Sequence, residues 1–259
     1  MPRNLVILGE GSQCSIIERH ISFGAERSLS NSLTEIILDK NATLNYCCAQ
    51  DQAERTFHVG GLFARLAHSA KLKATTVTVG KAWVRNDARI DLDAEGAHAN
   101  LDGAYLAFGR CHVDNHTHIS HNAPECTSRE CYKGVLGDRG HAVFHGRIVV
   151  QPNAQKTDSE QSNQNLLLSA DAQIDTKPQL EIYADDVKCA HGATVGQMDE
   201  AALFYLVSRG VDRETARRML TQAFAAEILE TVTPPALQSY LASHVSGRLS
   251  PAVPPGAAA

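Results

Sequence analysis

Asn41-Ala42-Thr43-Leu44 returns in outline as Ser69-Ala70-Lys71-Leu72, Asp87-Ala88-Arg89-Ile90 and Asp171-Ala172-Gln173-Ile174: a polar residue, an alanine, then a polar and an apolar position. A small residue followed by alternating side chains is what a stacked coil requires where the chain turns into a strand lying on the coil below. The spacing is irregular, which predicts a solenoid with loops of variable length and not a strict hexapeptide array.

The surrounding sequence supports this. Up to about Gly196 short β-like runs follow one another between polar or glycine punctuation, clearest at Leu5-Val6-Ile7-Leu8, Leu33 to Leu38, Thr75 to Val79, Phe144 to Val150 and Leu180 to Tyr183. Asn-Gly and Asp-Gly hairpin signals are sparse, and Gln161-Ser162-Asn163-Gln164-Asn165 suits side-chain hydrogen-bond ladders between coils. Both cues favour a β-solenoid, with an antiparallel sandwich as the alternative. After Gly196 the texture becomes helical. Asp199 caps a helix that stops at Gly210, and Asp212 starts a longer one with Ala216, Met219, Leu220, Ala223, Phe224 and Ile228 at helical spacing. The expected organisation is a β core over 1–197, a helical hairpin over 198–233 ended by Pro234-Pro235, and a Pro/Ala-rich disordered tail over 234–259.

Composition narrows the function. Of 259 residues 43% are hydrophobic but only 5% aromatic, and 24 Lys+Arg face 29 Asp+Glu for a net charge of −5. Affinity for nucleic acid or an anionic membrane needs a concentrated basic surface, which this balance does not offer. The apolar run near the N-terminus is too short for a signal segment or a span, so a cytoplasmic protein is expected. Seven scattered cysteines without a CxxC pair fit a reducing compartment and argue against a self-sufficient structural zinc or four-thiolate site. P-loop, GxSxG and HExxH motifs are absent.

Three segments carry ligand chemistry. His112-Val113-Asp114-Asn115-His116-Thr117-His118-Ile119-Ser120-His121 would, as a strand, put His112, Asp114, His116 and His118 on one face, too spread out to converge on a single metal; stacking in polar ladders is the expected role. Cys126 and Cys131 sit in what reads as a polar loop, where ordinary loop cysteines are expected. In Lys188-Cys189-Ala190-His191-Gly192, Cys189 and His191 point to one side of an extended chain about 7 Å apart. A thiolate and an imidazole are ligand types that iron and iron–sulfur clusters take, although two ligands do not hold a cluster unaided.

The blocks Asp114-Asn115-His116-Thr117, Tyr132-Lys133-Gly134-Val135-Leu136, Gln155-Lys156-Thr157-Asp158, Asn165 to Ser169, Asp175 to Ile182 and Lys188 to Gly196, followed by Leu203 to Gly210, resemble in order the SufB/SufD family of iron–sulfur cluster assembly proteins. Cys-Ala-His-Gly-Ala-Thr-Val-Gly-Gln before the first helix is similar to the SufD branch. The resemblance implies a right-handed parallel β-helix followed by a small C-terminal α-helical domain. It implies a non-catalytic scaffold subunit working with a SufB-like subunit and a SufC-like ABC ATPase, with self-association into a homodimer in their absence. By position His191 and Cys189 become the cofactor-binding and metal-handling residues for a nascent cluster or iron shared with the partner, none being tightly bound to the isolated chain. The helical hairpin resembles the ATPase-docking segment, and the last strands resemble the SufB-facing edge. Family members usually carry a helical region before the β-helix, whereas this sequence enters β structure at Leu5. Two other readings compete: a β-helix carbohydrate-active enzyme using Asp91 and Asp93 or Asp185 and Asp186, and a self-associating structural solenoid.

Overall fold

The computed structural model describes residues 1–22, 26–80, 83–230, 232 and 235–249. Fourteen strands come first: β1 (Arg3–Leu8), β2 (Gln13–Ile21), β3 (Ser28–Leu38), β4 (Thr43–Asp51), β5 (Thr56–Leu66), β6 (Lys71–Thr78), β7 (Trp83–Leu92), β8 (His98–Ala107), β9 (His112–His121), β10 (Thr127–Leu136), β11 (His141–Val150), β12 (Asp158–Leu167), β13 (Gln173–Ile182) and β14 (Lys188–Gln197). Three helices follow, α1 (Glu200–Ser208), α2 (Arg213–Leu229) and α3 (Pro235–Leu249). Odd-numbered strands pair into one seven-stranded sheet and even-numbered strands into another. All pairs are parallel, so each odd–even pair of strands is one coil of a β-solenoid.

Alternation along each strand decides what fills the space between the two sheets. Parallel register stacks equivalent residues: Leu44, Leu72 and Ala99 share one inward column of the even sheet, and Leu38, Leu66 and Leu92 one of the odd sheet. All six are at most 1% exposed. The sparse aromatic content is a consequence of this geometry. Rungs under 5 Å apart favour stacked aliphatic side chains, and large rings need a glycine on the adjoining rung. Gly103 and Gly134 provide it, since a Cβ at either would strike the ring of Tyr132 or Tyr105.

The first six odd-to-even corners share one backbone device. Gly11, Asn41, Ser69, Gly96, Glu125 and Lys156 all have φ between 54° and 71°. Each donates its N–H to a carbonyl on the next coil, from Gly11 to Lys40 O at 2.9 Å through to Lys156 to Asp186 O at 2.6 Å. The residue after the left-handed position turns inward and must be small; Ala42, Ala70, Ala97 and Cys126 are fully buried there. Two members of the Asn-Ala-type repeat, at Asn41 and Ser69, mark these corners. Asp171-Ala172 marks the opposite corner, leading into β13, and Asp87-Ala88 lies in the middle of β7. There the small-residue pattern arises from a strand position, which short motifs do not distinguish from a turn.

The helices lie on the outer face of the even sheet. Cys47, Ala49, Val77, Val79, Ala104, Leu106 and Val135 meet Ala225, Ile228, Leu229, Leu237, Leu241 and Val245 from α2 and α3. Lys133, 4% exposed, is paired with Glu227 on α2 and lies 5.0 Å from the centre of the Phe224 ring. Asp199 caps α1 and Asp212 caps α2, with Gly210 at φ 89° between them, as the sequence predicts. The domain end differs. α2 stops at Leu229, and Pro235, expected to belong to a disordered tail, is the first residue of a third helix. Proline is favoured in the first helical turn, where its missing N–H has no partner to lose, and α3 gains an apolar surface to cover through Leu237, Leu241 and Val245. The rest of the expected tail, residues 234 and 250–259, lies outside the described residues.

Candidate functional site at the last coil

Among the described residues β14 pairs only with β12, and β13 only with β11, so the two sheets present free edges at the C-terminal end of the solenoid. Cys189 and His191 stand two residues apart on β14, in register with Ser159 and Gln161 of β12. Ser159 and Gln161 are 2% and 1% exposed and face the interior. Cys189 and His191 therefore continue inward-facing columns at a level where no further coil covers them. Cys189 packs against the core, and burial pushes its thiol up from the ordinary value. His191 is exposed.

The interior leading to this rim is polar. One even-sheet column runs Leu44, Leu72, Ala99, Ser128, Ser159, Cys189, and its neighbour runs Tyr46, Ala74, Leu101, Glu130, Gln161, His191. His121 Nε2 is 2.9 Å from Ser128 Oγ, and the Ser128 and Ser159 hydroxyls are 2.8 Å apart. Gln161 Nε2 donates to Glu130 Oε2 at 2.6 Å. Farther along β12, Asn165 Nδ2 donates to Asn163 Oδ1 at 2.6 Å and the Tyr105 hydroxyl donates to Asn165 Oδ1 at 2.5 Å. The Asn/Gln run of the sequence is therefore an inner ladder. Desolvation pushes the fully buried Glu130 carboxyl up to about 7 and the His121 imidazole down to about 4. Sequence reasoning missed Gln161 and the β10 residues Ser128 and Glu130 as neighbours of the site because they lie one and two coils away from it along the chain. Only the register brings them together.

A second polar cluster lies at the opposite end. Glu18 accepts from Tyr46 at 2.6 Å and from Thr34 at 2.8 Å, and pairs with His20 at 3.0 Å, which holds its carboxyl at about 2. His58, buried and pushed down to about 4 by desolvation, lies with its ring tilted 4.5 Å from that of His20 beside a cavity of about 30 Å³. Among the described residues, no group of three or more His, Cys, Asp or Glu is arranged to hold a metal ion.

The other sequence candidates serve the scaffold. The histidine run is β9. On the outer face His112 stacks on Trp83 at 5.5 Å and meets His141 edge-on at 4.8 Å, while His116 lies 2.9 Å from Asp114 beside Arg85. Cys126 lies, as expected, in the turn between β9 and β10, where it is a buried corner residue, whereas Cys131 is not in a loop but on β10 against the helices. The longer β run arises because Arg129, Cys131 and Lys133 alternate outward from a buried inward set, a strand pattern hidden by its polar interior. Asp91 pairs with Arg89 at 3.2 Å and Asp93 with Arg65 at 2.8 Å, so neither is a free carboxylate for glycoside chemistry.

These features define a two-sheet parallel β-solenoid with an appended helical bundle and a thiol–imidazole pair at its open rim. The chain belongs to the SufBD core domain family of SUF-system FeS cluster assembly, whose profile matches residues 1–224. It is 34% identical over 247 residues to the iron–sulfur cluster assembly protein SufD of Escherichia coli, covering 95% of this chain and 58% of that protein. It is 32% identical to the SufBD family protein slr0076 of Synechocystis, covering 95% and 56%, and 30% identical to the chloroplastic protein ABCI7 of Arabidopsis thaliana, covering 96% and 53%. The resemblance is to the SufD branch, and the chain spans a little over half the length of these relatives.

Proposed function

We propose that this chain is a SufD-like scaffold subunit on which a nascent iron–sulfur cluster, or the iron for it, is handled at the C-terminal rim of the solenoid. The observation that carries the reading is the placement of Cys189 and His191 on inward columns of a strand with a free edge. A soft thiolate and an imidazole are suitable donors for iron, and iron is four-coordinate in such clusters, so the remaining ligands come from a chain facing the same edge. Unpaired backbone donors and acceptors along β14 provide the template for that partner, a SufB-like subunit. The burial-raised Cys189 thiol must lose its proton to bind metal, so loading is favoured by rising pH. Catalytic turnover belongs to the partner ATPase in this reading, and the work is done in the cytoplasm. Among the described residues no helix is long and apolar enough to cross a membrane.

The helical bundle is the docking surface for a SufC-like ATPase. Phe204 and Tyr205 on α1 are 73% and 58% exposed, and Met219 on α2 is 45% exposed. Phe224, by contrast, is held against Lys133 inside the bundle–sheet contact, which makes Phe204 the informative substitution. Phe204→Ser is expected to weaken capture of the ATPase without shifting the melting temperature; unchanged capture removes the docking assignment. For the rim, anaerobic co-expression with both partners followed by absorption spectroscopy tests His191→Ala. An intact complex without cluster is the expected result, and an undiminished cluster in that variant would place the ligands elsewhere.

A further inference from the structure

His191 is an exposed imidazole on an edge strand, and an imidazole offers a lone pair to iron only when its proton sits on the other nitrogen. The column beneath it has the chemistry to decide that. Glu130, Gln161 and His191 are successive rungs of the even sheet. Gln161 Nε2 is committed to Glu130 Oε2 at 2.6 Å, on the side away from the rim. Its Oε1 is buried and has no hydrogen-bond partner. Across the interior, Gly146 of β11 leaves space for this side chain, since a Cβ there would lie 2.3 Å from Gln161 Nε2.

We propose that Glu130 and Gln161 are positioning residues for His191: Glu130 holds the Gln161 amide nitrogen, which leaves the amide oxygen, unpartnered in this structure, as the acceptor for one imidazole N–H when the His191 ring turns inward over it, the other ring nitrogen then being free toward iron outside the rim. The inference rests on the reading of His191 as an iron-handling group. Partners of this kind, one bond removed from the metal, orient a ligating histidine and fix its tautomer. Glu130 is also the group that can reverse the arrangement. It is faced by Thr117 of β9 and Gln161 of β12, with Asp102 of β8 and Tyr132 of β10 close enough to act on it electrostatically, and burial pushes it up to about 7. Once protonated it donates to the amide oxygen, the carboxamide turns, and its NH2 meets the imidazole lone pair instead. Metal-ready His191 is then favoured above that pH and disfavoured below it.

The test uses the whole chain labelled with 15N-histidine, the His191 resonances being identified by their loss in His191→Ala. Long-range proton–nitrogen correlation is expected to show one dominant tautomer that develops as pH rises through about 7. Gln161→Leu should return the ratio to that of free imidazole, and the isosteric Glu130→Gln, which keeps the packing, should abolish the pH dependence. Titration with Fe(II) alone under anaerobic conditions should show about tenfold weaker binding in Gln161→Leu. An unchanged tautomer ratio in both variants, with Fe(II) binding still lost in His191→Ala, overturns the positioning role alone. A tautomer that follows Gln161 while His191→Ala binds Fe(II) normally supports the hydrogen bond and overturns the iron reading.

Discussion

The early and late coils of the even sheet share parallel pairing and in-register stacking, yet two of their inner columns change in kind along the axis. Leu44, Leu72 and Ala99 stack beneath Ser128, Ser159 and Cys189; Ala74 and Leu101 stack beneath Glu130, Gln161 and His191. Backbone hydrogen bonds hold every coil alike, so the side-chain columns are free to change character along the axis. In these two columns Leu44, Leu72, Ala74, Ala99 and Leu101 are apolar rungs, the early polar cluster being confined to Glu18, Tyr46, His58 and their neighbours, and a hydrogen-bonded vein leads out to the rim in the last three coils. The proposed site lies at the rim to which this vein leads.

The contrast breaks most visibly at matched rungs. Leu101→Ala removes a side chain 1% exposed between Ala74 and Glu130 and is expected to cost about 2–5 kcal/mol. Ser159→Ala, in the polar vein, should cost about 1 kcal/mol. Denaturant unfolding of both decides the matter, and equal losses would mean that the vein is as structural as the apolar stack. Glycines sharpen the same comparison at smaller amplitude. Gly134→Ala puts a Cβ 2.3 Å from the Tyr105 ring and is expected to destabilise by about 1–3 kcal/mol, whereas Gly192→Ala on β14 meets nothing within 4 Å and should leave the transition where it is. A shifted transition in Gly192→Ala would show that the rim is covered in the isolated protein.

The smallest effect is in the pH profile. His121, inside the late coils, is held neutral with a folded value of about 4 against an ordinary 6.5. Between those values the unfolded chain binds more protons than the folded one, so this residue's stabilising contribution is complete above pH 6.5 and is lost as pH falls through about 4. His121→Gln should flatten that part of the stability profile, read by thermal melts across the window. His58 in the early coils has a similarly lowered value and leaves a residual slope, which His58→Gln removes. A His121→Gln profile as steep as the parent's would assign the whole slope to the early coils.

Much of this was readable in the chain. Alternation and small corner residues marked a solenoid, the caps at Asp199 and Asp212 fell where the helices start, and the family blocks singled out Cys189 and His191. What escaped was long-range register. Nothing local in Thr127-Ser128-Arg129-Glu130-Cys131 says that Glu130 faces inward under Gln161, because a polar interior erases the apolar alternation by which strands are recognised. Pro235 was misread for a related reason: its helix is stabilised by the outer face of a distant sheet, which no neighbouring residue announces.

The left-handed corner residues, repeated about 30 residues apart in the first six coils, give the molecule a unit of exchange. Cutting at two such corners and joining the ends would remove one whole coil while restoring the same dihedral angles and the same N–H to carbonyl bond at the junction. Axial length is therefore a quantity that insertion or deletion changes in integer steps of under 5 Å. Within a lineage, such steps would move the rim along the axis while each end of the junction kept its local geometry.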